Sequence, residues 1–271
     1  MQTASRDSLA AAVATLDEAA DGASTKVLSA TADELLAVGR LLAREPVLRR
    51  SLADPAAPAE VRRELLDAIA GDGFGSTTTT LLHAMVSSRW STPNDLVEAG
   101  ELLAVQALLA AAQKTRKLAD VEDELFRFLR LVAGDQRLRA ALNDVIAGER
   151  RQQLVEDLLV GKAQPVTVAL VRIALAGLGG RMFEPSLERL IEYAAQRRDR
   201  EVAYVTVAAA LSTEQEQRLE ASLSRTYGQQ MSLLVTVDPS ILGGMAVRVR
   251  QELYDGSIDR RLKQVRGALA G

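Results

Sequence analysis

Two stretches of the sequence, 90 residues apart, are partial copies of one another. Residues 33–54 are DELLAVGRLLAREPVLRRSLAD, and residues 123–144 are DELFRFLRLVAGDQRLRAALND. Of the 22 aligned positions, 10 are identical, including acidic and arginine positions that two unrelated leucine-rich helices would seldom share. Farther along, Arg89 recurs as Arg181 at an offset of 92. Self-similarity of this kind predicts a helical unit of about 90 residues in two copies.

Most of the first 200 residues have the periodicity of α-helices. An apolar stripe at helical spacing opens the chain and consists of Leu9, Ala12, Val13, Leu16 and Ala20. Thr31 with Glu34 fits a capping box, in which each side chain satisfies a free backbone N–H at a helix start. Thr92 followed by Pro93 predicts a second helix start, since proline at the first helical position loses no hydrogen bond. Each copy is therefore expected to be a helical bundle.

The pattern changes after residue 200, where strands become the better interpretation. Val, Thr and Tyr enrichment or period-two alternation predicts strands at 201–209, 231–237 and 247–253. A helix between the first two would begin with a capping box, either Ser212 with Gln215 or Thr213 with Glu216. Ser257 is the expected N-cap of a final helix. The tail is thus predicted to be a small βαββα unit.

The predicted fold class is mainly α with a C-terminal α+β unit, in three parts. Repeat one spans residues 1–105 and repeat two spans residues 106–200, each as a helical bundle. Residues 201–271 form the C-terminal domain. The length of 271 residues is sufficient for this number of domains.

Composition excludes several classes of function. The net charge of −3 provides no global basic field of the kind that nucleic-acid-binding proteins use. The chain has no cysteine, and His83 is its single histidine, which excludes disulfides, thiolate chemistry and a multi-histidine metal site. No apolar run reaches the roughly 18 residues of a spanning helix, and residues 1–9 lack the pattern of a secretory signal. No catalytic residue, metal or cofactor site is predicted, and a membrane role would need a partner.

Individual polar clusters also lack a catalytic arrangement. His83 lies in a helical run and is expected to be a packed or hydrogen-bonded core residue. The glycine clusters at 71–75 and 177–180 neither follow a strand nor end in Gly-Lys-Ser/Thr, so they are not phosphate loops. The pairs Arg197–Arg198 and Arg260–Arg261 alternate with acids and are interpreted as solvated helix faces.

Two apolar features leave an alternative open. Trp90, the single tryptophan, is either a core residue or an anchor in a protein interface, where tryptophan is enriched. The stripe from Leu9 to Ala20 either faces its own bundle or leaves part of a groove for a partner helix. The sequence alone does not decide between the core and the interface hypothesis for either feature.

Two motifs near the C-terminus carry a resemblance to a known family. Residues 237–249 are VDPSILGGMAVRV, and residues 253–258 are LYDGSI. Together they resemble the signature of the ATP synthase delta subunit family, also called the oligomycin-sensitivity-conferring-protein (OSCP) family. We expect the motif residues to serve backbone geometry rather than contact; they are Asp238, Pro239, Gly243, Gly244, Asp255, Gly256, Ser257, Ile258 and Leu262.

The sequence departs from the family pattern in two ways. Arg250–Gln251 occupies the place where members commonly have a Gly-Asp turn between two strands. The usual family chain also has one helical domain, whereas two are predicted here. This longer form resembles an actinobacterial-type variant that is sometimes fused to a stalk subunit.

The resemblance implies a non-catalytic stator subunit of the rotary proton-translocating ATP synthase. In this family the helical domain binds the N-terminal helices of the catalytic alpha subunits, and the C-terminal domain binds the b-type peripheral stalk. It also implies a peripheral location at the cytoplasmic face of the plasma membrane. A stator that carries torque needs large helix-in-groove contacts. The expected alpha-subunit contacts are Leu9, Ala12, Val13, Leu16, Leu82, Met85 and Arg89.

The alternative is a generic helical-repeat scaffold with a different partner. The 90-residue duplication alone would support that function, whereas the C-terminal motifs argue against it.

Overall fold

The computed structural model describes residues 1–71, 73–198, 200–228, 230–238, 244–249 and 252–255. Within them the fold is mainly helical with a small sheet near the C-terminus, as the sequence predicts. The helices of the body are α1 (Thr3–Gly22), α2 (Thr25–Arg44), α3 (Pro46–Ala53), α4 (Ala59–Ala70), α5 (Ser76–Ser87), α6 (Pro93–Lys114), α7 (Leu118–Gly134), α8 (Gln136–Asn143), α9 (Gly148–Leu159), α10 (Pro165–Ala176) and α11 (Phe183–Arg197).

After α1, these helices form two successive runs, each with a long helix, a short one, two of equal length and a second long one. The first run, α2–α6, has helices of 20, 8, 12, 12 and 22 residues. The second run, α7–α11, has helices of 17, 8, 12, 12 and 15 residues. The contacts correspond too, because α1 packs against α5 and α6, while α6 packs against α10 and α11. Helix α6 is therefore the last helix of the first run. It also packs against the last two helices of the second run, as α1 packs against the last two helices of the first.

Helix α6 lies at the centre of the helical body. Fourteen of its 22 residues are buried, including the unbroken run 107–112, over which burial extends around the helix. It packs against helices of both runs, which is the environment that a helix apolar on all sides requires. One continuous core extends from α1 to α11. The predicted boundary between residues 105 and 106 falls inside this helix, and the division into domains stays a prediction.

The start of α6 follows the predicted signal. The Thr92 hydroxyl accepts from the Asp95 backbone N–H at 3.3 Å, and the Asp95 carboxylate accepts from the Thr92 backbone N–H at 3.2 Å. Pro93 occupies the first helical position. This reciprocal cap satisfies two N–H groups that the helix itself leaves free.

The predicted helix start at Thr31 is wrong. The N-cap of α2 is Ser24, seven residues earlier, whose hydroxyl accepts from the backbone N–H of Val27. Thr31 is buried in the middle of the helix. Glu34 instead accepts the backbone N–H of Gly75 at 3.2 Å, so the pattern that resembled a cap belongs to a tertiary contact.

The C-terminal part is a four-stranded sheet with one helix packed on it, among the residues that the structure describes. Its elements are β1 (Arg200–Val207), α12 (Thr213–Tyr227), β2 (Gln230–Val237), β3 (Met245–Val249) and β4 (Glu252–Asp255). The strand order is β2-β1-β3-β4, with β1 and β2 parallel and the other neighbours antiparallel. Because β1 and β2 are parallel, α12 is the crossover between them.

Two details of this part separate the alternatives left by the sequence. The cap of α12 is the Ser212–Gln215 pair, in which each side chain accepts from the other residue's backbone N–H. The predicted single strand 247–253 is wrong, because β3 and β4 are separate strands. Gln251 interrupts the period-two alternation at the position between the two strands. The predicted final helix from Ser257 lies outside the described residues.

The structure describes only some of the family-motif residues. The Asp238 backbone N–H donates to the Val207 carbonyl at 2.8 Å, closing the end of the β1–β2 pair. Gly244 has φ +84°, a conformation that side-chain-bearing residues rarely adopt, which fits the expected backbone role. Asp255 ends β4 opposite Ala246. The remaining motif residues, Pro239, Gly243, Gly256, Ser257, Ile258 and Leu262, lie outside the described part of the chain.

Candidate partner-binding surface

The seven residues predicted to contact a partner divide into two groups. Ala12, Leu16, Leu82 and Met85 are at most 2% exposed and belong to the protein's own core. Leu9 and Val13 are half-buried at the edge of that core, and Arg89 is exposed. The stripe on α1 therefore faces its own bundle. The accessible remainder is a short patch formed by Leu9, Val13 and Arg89, which we call the α1 patch.

Helix α1 is fixed in place by hydrogen bonds at its first turns. The buried Ser5 hydroxyl donates to the Asp95 carboxylate at 2.7 Å and accepts from the Ser91 backbone N–H at 2.8 Å. The Ser8 hydroxyl donates to the carbonyl of Arg89 at 2.7 Å, which brings the two ends of the α1 patch together. No local pattern indicates a role for Ser5, because its partner Asp95 is 90 residues away.

Trp90 is a core residue. Its ring is 5% exposed, and its indole N–H donates to the carbonyl of Met85 at 2.8 Å. A buried indole needs such an acceptor. The structure therefore does not support the hypothesis that Trp90 anchors a protein interface.

The two helical runs share polar contacts at equivalent positions. Glu34 accepts a backbone N–H at the start of α5, and Glu124 does the same at the start of α10. Arg62 donates to carbonyls that end α5, and Arg151 donates to a carbonyl that ends α10. In both cases the side chain carries a charge opposite in sign to the partial charge of the helix end that it contacts.

The same correspondence explains His83. Its Nε2 lies 2.7 Å from the Asp67 carboxylate, which joins α5 to α4. At the equivalent place in the second run, Arg172 pairs with Glu156 at 2.5 Å and joins α10 to α9. His83 is hydrogen-bonded, as the sequence predicts, but it lies outside the core, in a contact that holds two helices together.

The pair Arg197–Arg198 is not a solvated face, and that prediction is wrong. The Arg197 guanidinium bonds Asp17 of α1 at 2.6 Å and the side-chain carbonyls of Gln106 and Gln113 on α6. Arg198 pairs with Glu122 of α7, whose side chain is 6% exposed. These two arginines therefore tie the end of α11 to three other helices.

A cavity of 390 Å³ lies where the two runs meet. Its apolar lining includes Leu36 of α2, Leu108 of α6 and Ile173 of α10. Glu101 lies at this cavity, and its carboxylate accepts the backbone N–H of Gly179 at 2.8 Å. Burial raises the pKa of Glu101 above its ordinary value, and the neighbouring Glu98 adds to the rise.

Glu101→Gln is expected to stabilise the protein at pH 7 and to have no effect near pH 4. A raised pKa means that the folded state binds this proton more tightly than the unfolded state, so stability is lost as pH rises through the raised pKa. Glutamine removes the charge and keeps an acceptor for Gly179. The gain should be at most about 1 kcal/mol, because the side chain is partly solvated. Thermal unfolding at both pH values measures it, with the exposed Glu64→Gln as control; an equal gain in the control would contradict the account.

The described residues contain no group of three or more metal-binding side chains. None of the helices in the described part of the chain combines the length and apolarity needed to cross a membrane. What the fold presents instead is a cysteine-free helical body with exposed helix faces and a small α/β domain at its end. This architecture places the chain in the class of mainly helical proteins that carry a small C-terminal α+β unit.

Comparison with known proteins specifies the family. The family model for the ATP synthase delta (OSCP) subunit matches residues 105–269. A protein named ATP synthase subunit delta from Salinispora arenicola is 52% identical over 100% of this chain and 99% of its own length. The protein of the same name from Streptomyces avermitilis is 48% identical over 98% of each chain. The chain belongs to the ATP synthase delta (OSCP) subunit family, whose members are non-catalytic subunits of the complex.

A solved structure gives a weaker likeness. The chain resembles part of the cryo-EM structure of the Toxoplasma gondii mitochondrial ATP synthase hexamer, with a TM-score of 0.38 and 18% identity. The match covers 62% of this chain and 95% of the other.

Proposed function

We propose that this protein is the stator adaptor of a rotary proton-translocating ATP synthase. It links the catalytic alpha/beta head to the b-type peripheral stalk and keeps the head from turning with the rotor. Membership of the delta subunit family, over the full length of its relatives, is the observation that carries this proposal. The protein would act at the cytoplasmic face of the plasma membrane, attached only through the complex.

The proposal includes a duplicated helical unit, with α2–α6 and α7–α11 as its two copies. Support comes from the matching helix lengths and from the equivalent contacts of Glu34 with Glu124 and of Arg62 with Arg151. The family model begins at residue 105, inside α6, and covers the second copy and the C-terminal domain. The first copy is then the part by which this chain exceeds the usual family member.

We propose that the first copy binds the N-terminal helices of the alpha subunits through the α1 patch. In the second copy, the equivalent groove between α6 and α10 is bordered by Leu36 and Arg40 of α2. That groove is thus partly closed by the protein itself. The main neighbours of α1 are α5 and α6, and the end of α11 borders the groove that Val13 lines. The C-terminal domain, residues 201–271, would bind the stalk.

Leu9→Asp is expected to weaken binding to isolated heads about tenfold or more and to leave the fold intact. Leu9 is half-buried at the edge of the core, so a carboxylate there can reach water but opposes an apolar partner helix. A loss of about 1.4 kcal/mol in binding free energy corresponds to the tenfold change. Titration calorimetry measures it after circular dichroism has established folding. Leu131→Asp, the change of an exposed leucine on α7, is the matched control. Equal affinity of the Leu9→Asp and wild-type proteins would remove the α1 patch from the interface.

A coupling assay tests the adaptor function itself. Membranes stripped of this subunit should hydrolyse ATP without pumping protons, and adding the protein should restore ATP-driven pumping. Pumping that stays absent after folded protein has rebound to the membranes would contradict the proposal.

A further inference from the structure

The junction between the helical body and the C-terminal domain is short and rests on one aromatic side chain. Helix α11 ends at Arg197, and β1 begins at Arg200. Alternate residues of β1 are buried in the domain's own core, namely Ala203, Val205 and Val207. Among the described apolar residues beyond 200, Tyr204 alone packs against the core of the helical body. It therefore lies on the opposite face of the sheet from α12, towards α11.

Two polar contacts hold Tyr204 in this position, and a third orients its hydrogen-bond acceptor. Its hydroxyl donates to the Glu192 carboxylate on α11 at 3.0 Å. The other oxygen of the same carboxylate accepts from Arg189 at 2.7 Å, so Glu192 is itself oriented by a neighbour one turn away. On the sheet side, the guanidinium of Arg248 lies 4.2 Å from the centre of the Tyr204 ring, and the two residues are cross-strand partners. The chain of contacts thus runs from α11 through Tyr204 to β3.

Burial and the adjacent carboxylates favour the protonated phenol. Loss of solvation raises the pKa of Tyr204 well above its ordinary value, and Glu192 raises it further. The hydroxyl therefore remains a hydrogen-bond donor at any pH that the protein meets. The carboxylate acceptor makes this hydrogen bond charge-assisted, and its length of 3.0 Å is at the long end of the range for O–H···O bonds.

We infer that Tyr204 and Glu192 are positioning residues that fix the angle between the helical body and the C-terminal domain. Among the described elements, α11 and β1 make the principal contact between the two parts, and relative motion is the ordinary expectation for domains joined by a small interface. A single anchored side chain close to the connection restrains rotation about it. If the proposed function holds, this contact keeps the head-binding and stalk-binding parts in one orientation under torque. The fixed angle between the two parts is a property of the isolated protein.

The absence of cysteine in the sequence makes a direct test possible. Ala140→Cys on α8 and Gln217→Cys on α12, both exposed positions, accept two spin labels without removal of any native thiol. Pulsed electron resonance then gives the distribution of distances between the body and the C-terminal domain. The otherwise unchanged protein should give one narrow distribution. Tyr204→Phe, which keeps the ring and its contact with Arg248, should widen it at least twofold.

Two matched variants separate positioning from a general loss of structure. Tyr193→Phe also removes a hydroxyl, one that bonds Arg189 within α11 and does not reach the sheet, and should leave the distribution narrow. Glu192→Gln keeps an acceptor for the phenol and should remain narrow, whereas Glu192→Ala should widen it as Tyr204→Phe does. An unchanged width in Tyr204→Phe, or equal widening in Tyr193→Phe, would overturn the inference. Because no ATP synthase is present, failure of the adaptor proposal would not alter this result.

Discussion

Leu103→Ala in α6 is expected to lower the free energy of unfolding by roughly 3–4 kcal/mol. Leu103 is 0% exposed, in the helix that both runs share. Truncation there removes buried methyl groups and leaves a cavity that rigid neighbours on both sides cannot fill. Since the core is continuous from α1 to α11, the loss should affect the helical body as one unit. Urea unfolding followed by circular dichroism at 222 nm measures both the size of the loss and its cooperativity.

The matched control is Leu131→Ala, the same truncation on the exposed face of α7. Leu131 is 51% exposed, so its effect should stay within about 0.5 kcal/mol. The shared-helix account predicts one helical transition that moves to lower urea in Leu103→Ala. Two separate transitions, of which only one moves, would mean that the runs unfold independently.

Arg198→Ala is expected to destabilise the protein by roughly 3 kcal/mol. The Glu122 carboxylate is 6% exposed and would remain buried without its cation, which is the costly outcome for a buried ion pair. Adding Glu122→Leu to the same protein removes the stranded charge. The double variant should therefore recover most of the stability, since apolar replacement of a buried pair is often neutral. The free energy of unfolding of the three proteins measures this.

An exposed ion pair provides the comparison for the Arg198 and Glu122 variants. Arg218 and Glu214 on α12 are 76% and 73% exposed, and Arg218→Ala should have no measurable effect. If Arg198→Ala were as mild as Arg218→Ala, Glu122 would have to be solvated, which contradicts its buried position. If the double variant were no better than Arg198→Ala, the arginine would stabilise the fold through its stem rather than its charge.

Local signals in the sequence correctly predicted many local features. Thr92 with Pro93 begins α6, and Ser212 with Gln215 begins α12, because a cap is satisfied by residues three positions apart. The sequence similarity between residues 33–54 and 123–144 coincides with equivalent contacts, such as those of Glu34 and Glu124. Each of these two glutamates accepts a backbone N–H at the start of a helix, so their recurrence in the sequence has a physical cause.

Periodicity in the sequence cannot predict contacts between residues that are far apart in the chain. Arg197 and Arg198 alternate with acids in the sequence, yet their partners Asp17 and Glu122 lie 180 and 76 residues away. The central place of α6 was also missed. A helix buried on all sides has no polar face, so its periodicity cannot indicate which helices surround it. The predicted boundary at 105–106 followed from the repeat length, which takes no account of a helix shared by two runs.

The candidate partner surface was predicted only in part. The stripe from Leu9 to Leu16 was correctly placed on one helix, but spacing cannot separate a core-facing residue from a groove-lining one. The structure shows Ala12 and Leu16 to be core, and leaves Leu9 and Val13 at the edge. Ser5 and Asp95, which fix α1, were invisible because their contact joins distant parts of the chain.

Calorimetric titration of the full-length protein against ATP synthase heads stripped of this subunit and of the stalk tests the central claim most directly. The adaptor account predicts saturable binding at one protein per head, with affinity that survives Leu131→Asp and falls with Leu9→Asp. No heat of binding from folded protein at any usable concentration would contradict it, and would leave a helical scaffold whose partner is not the head.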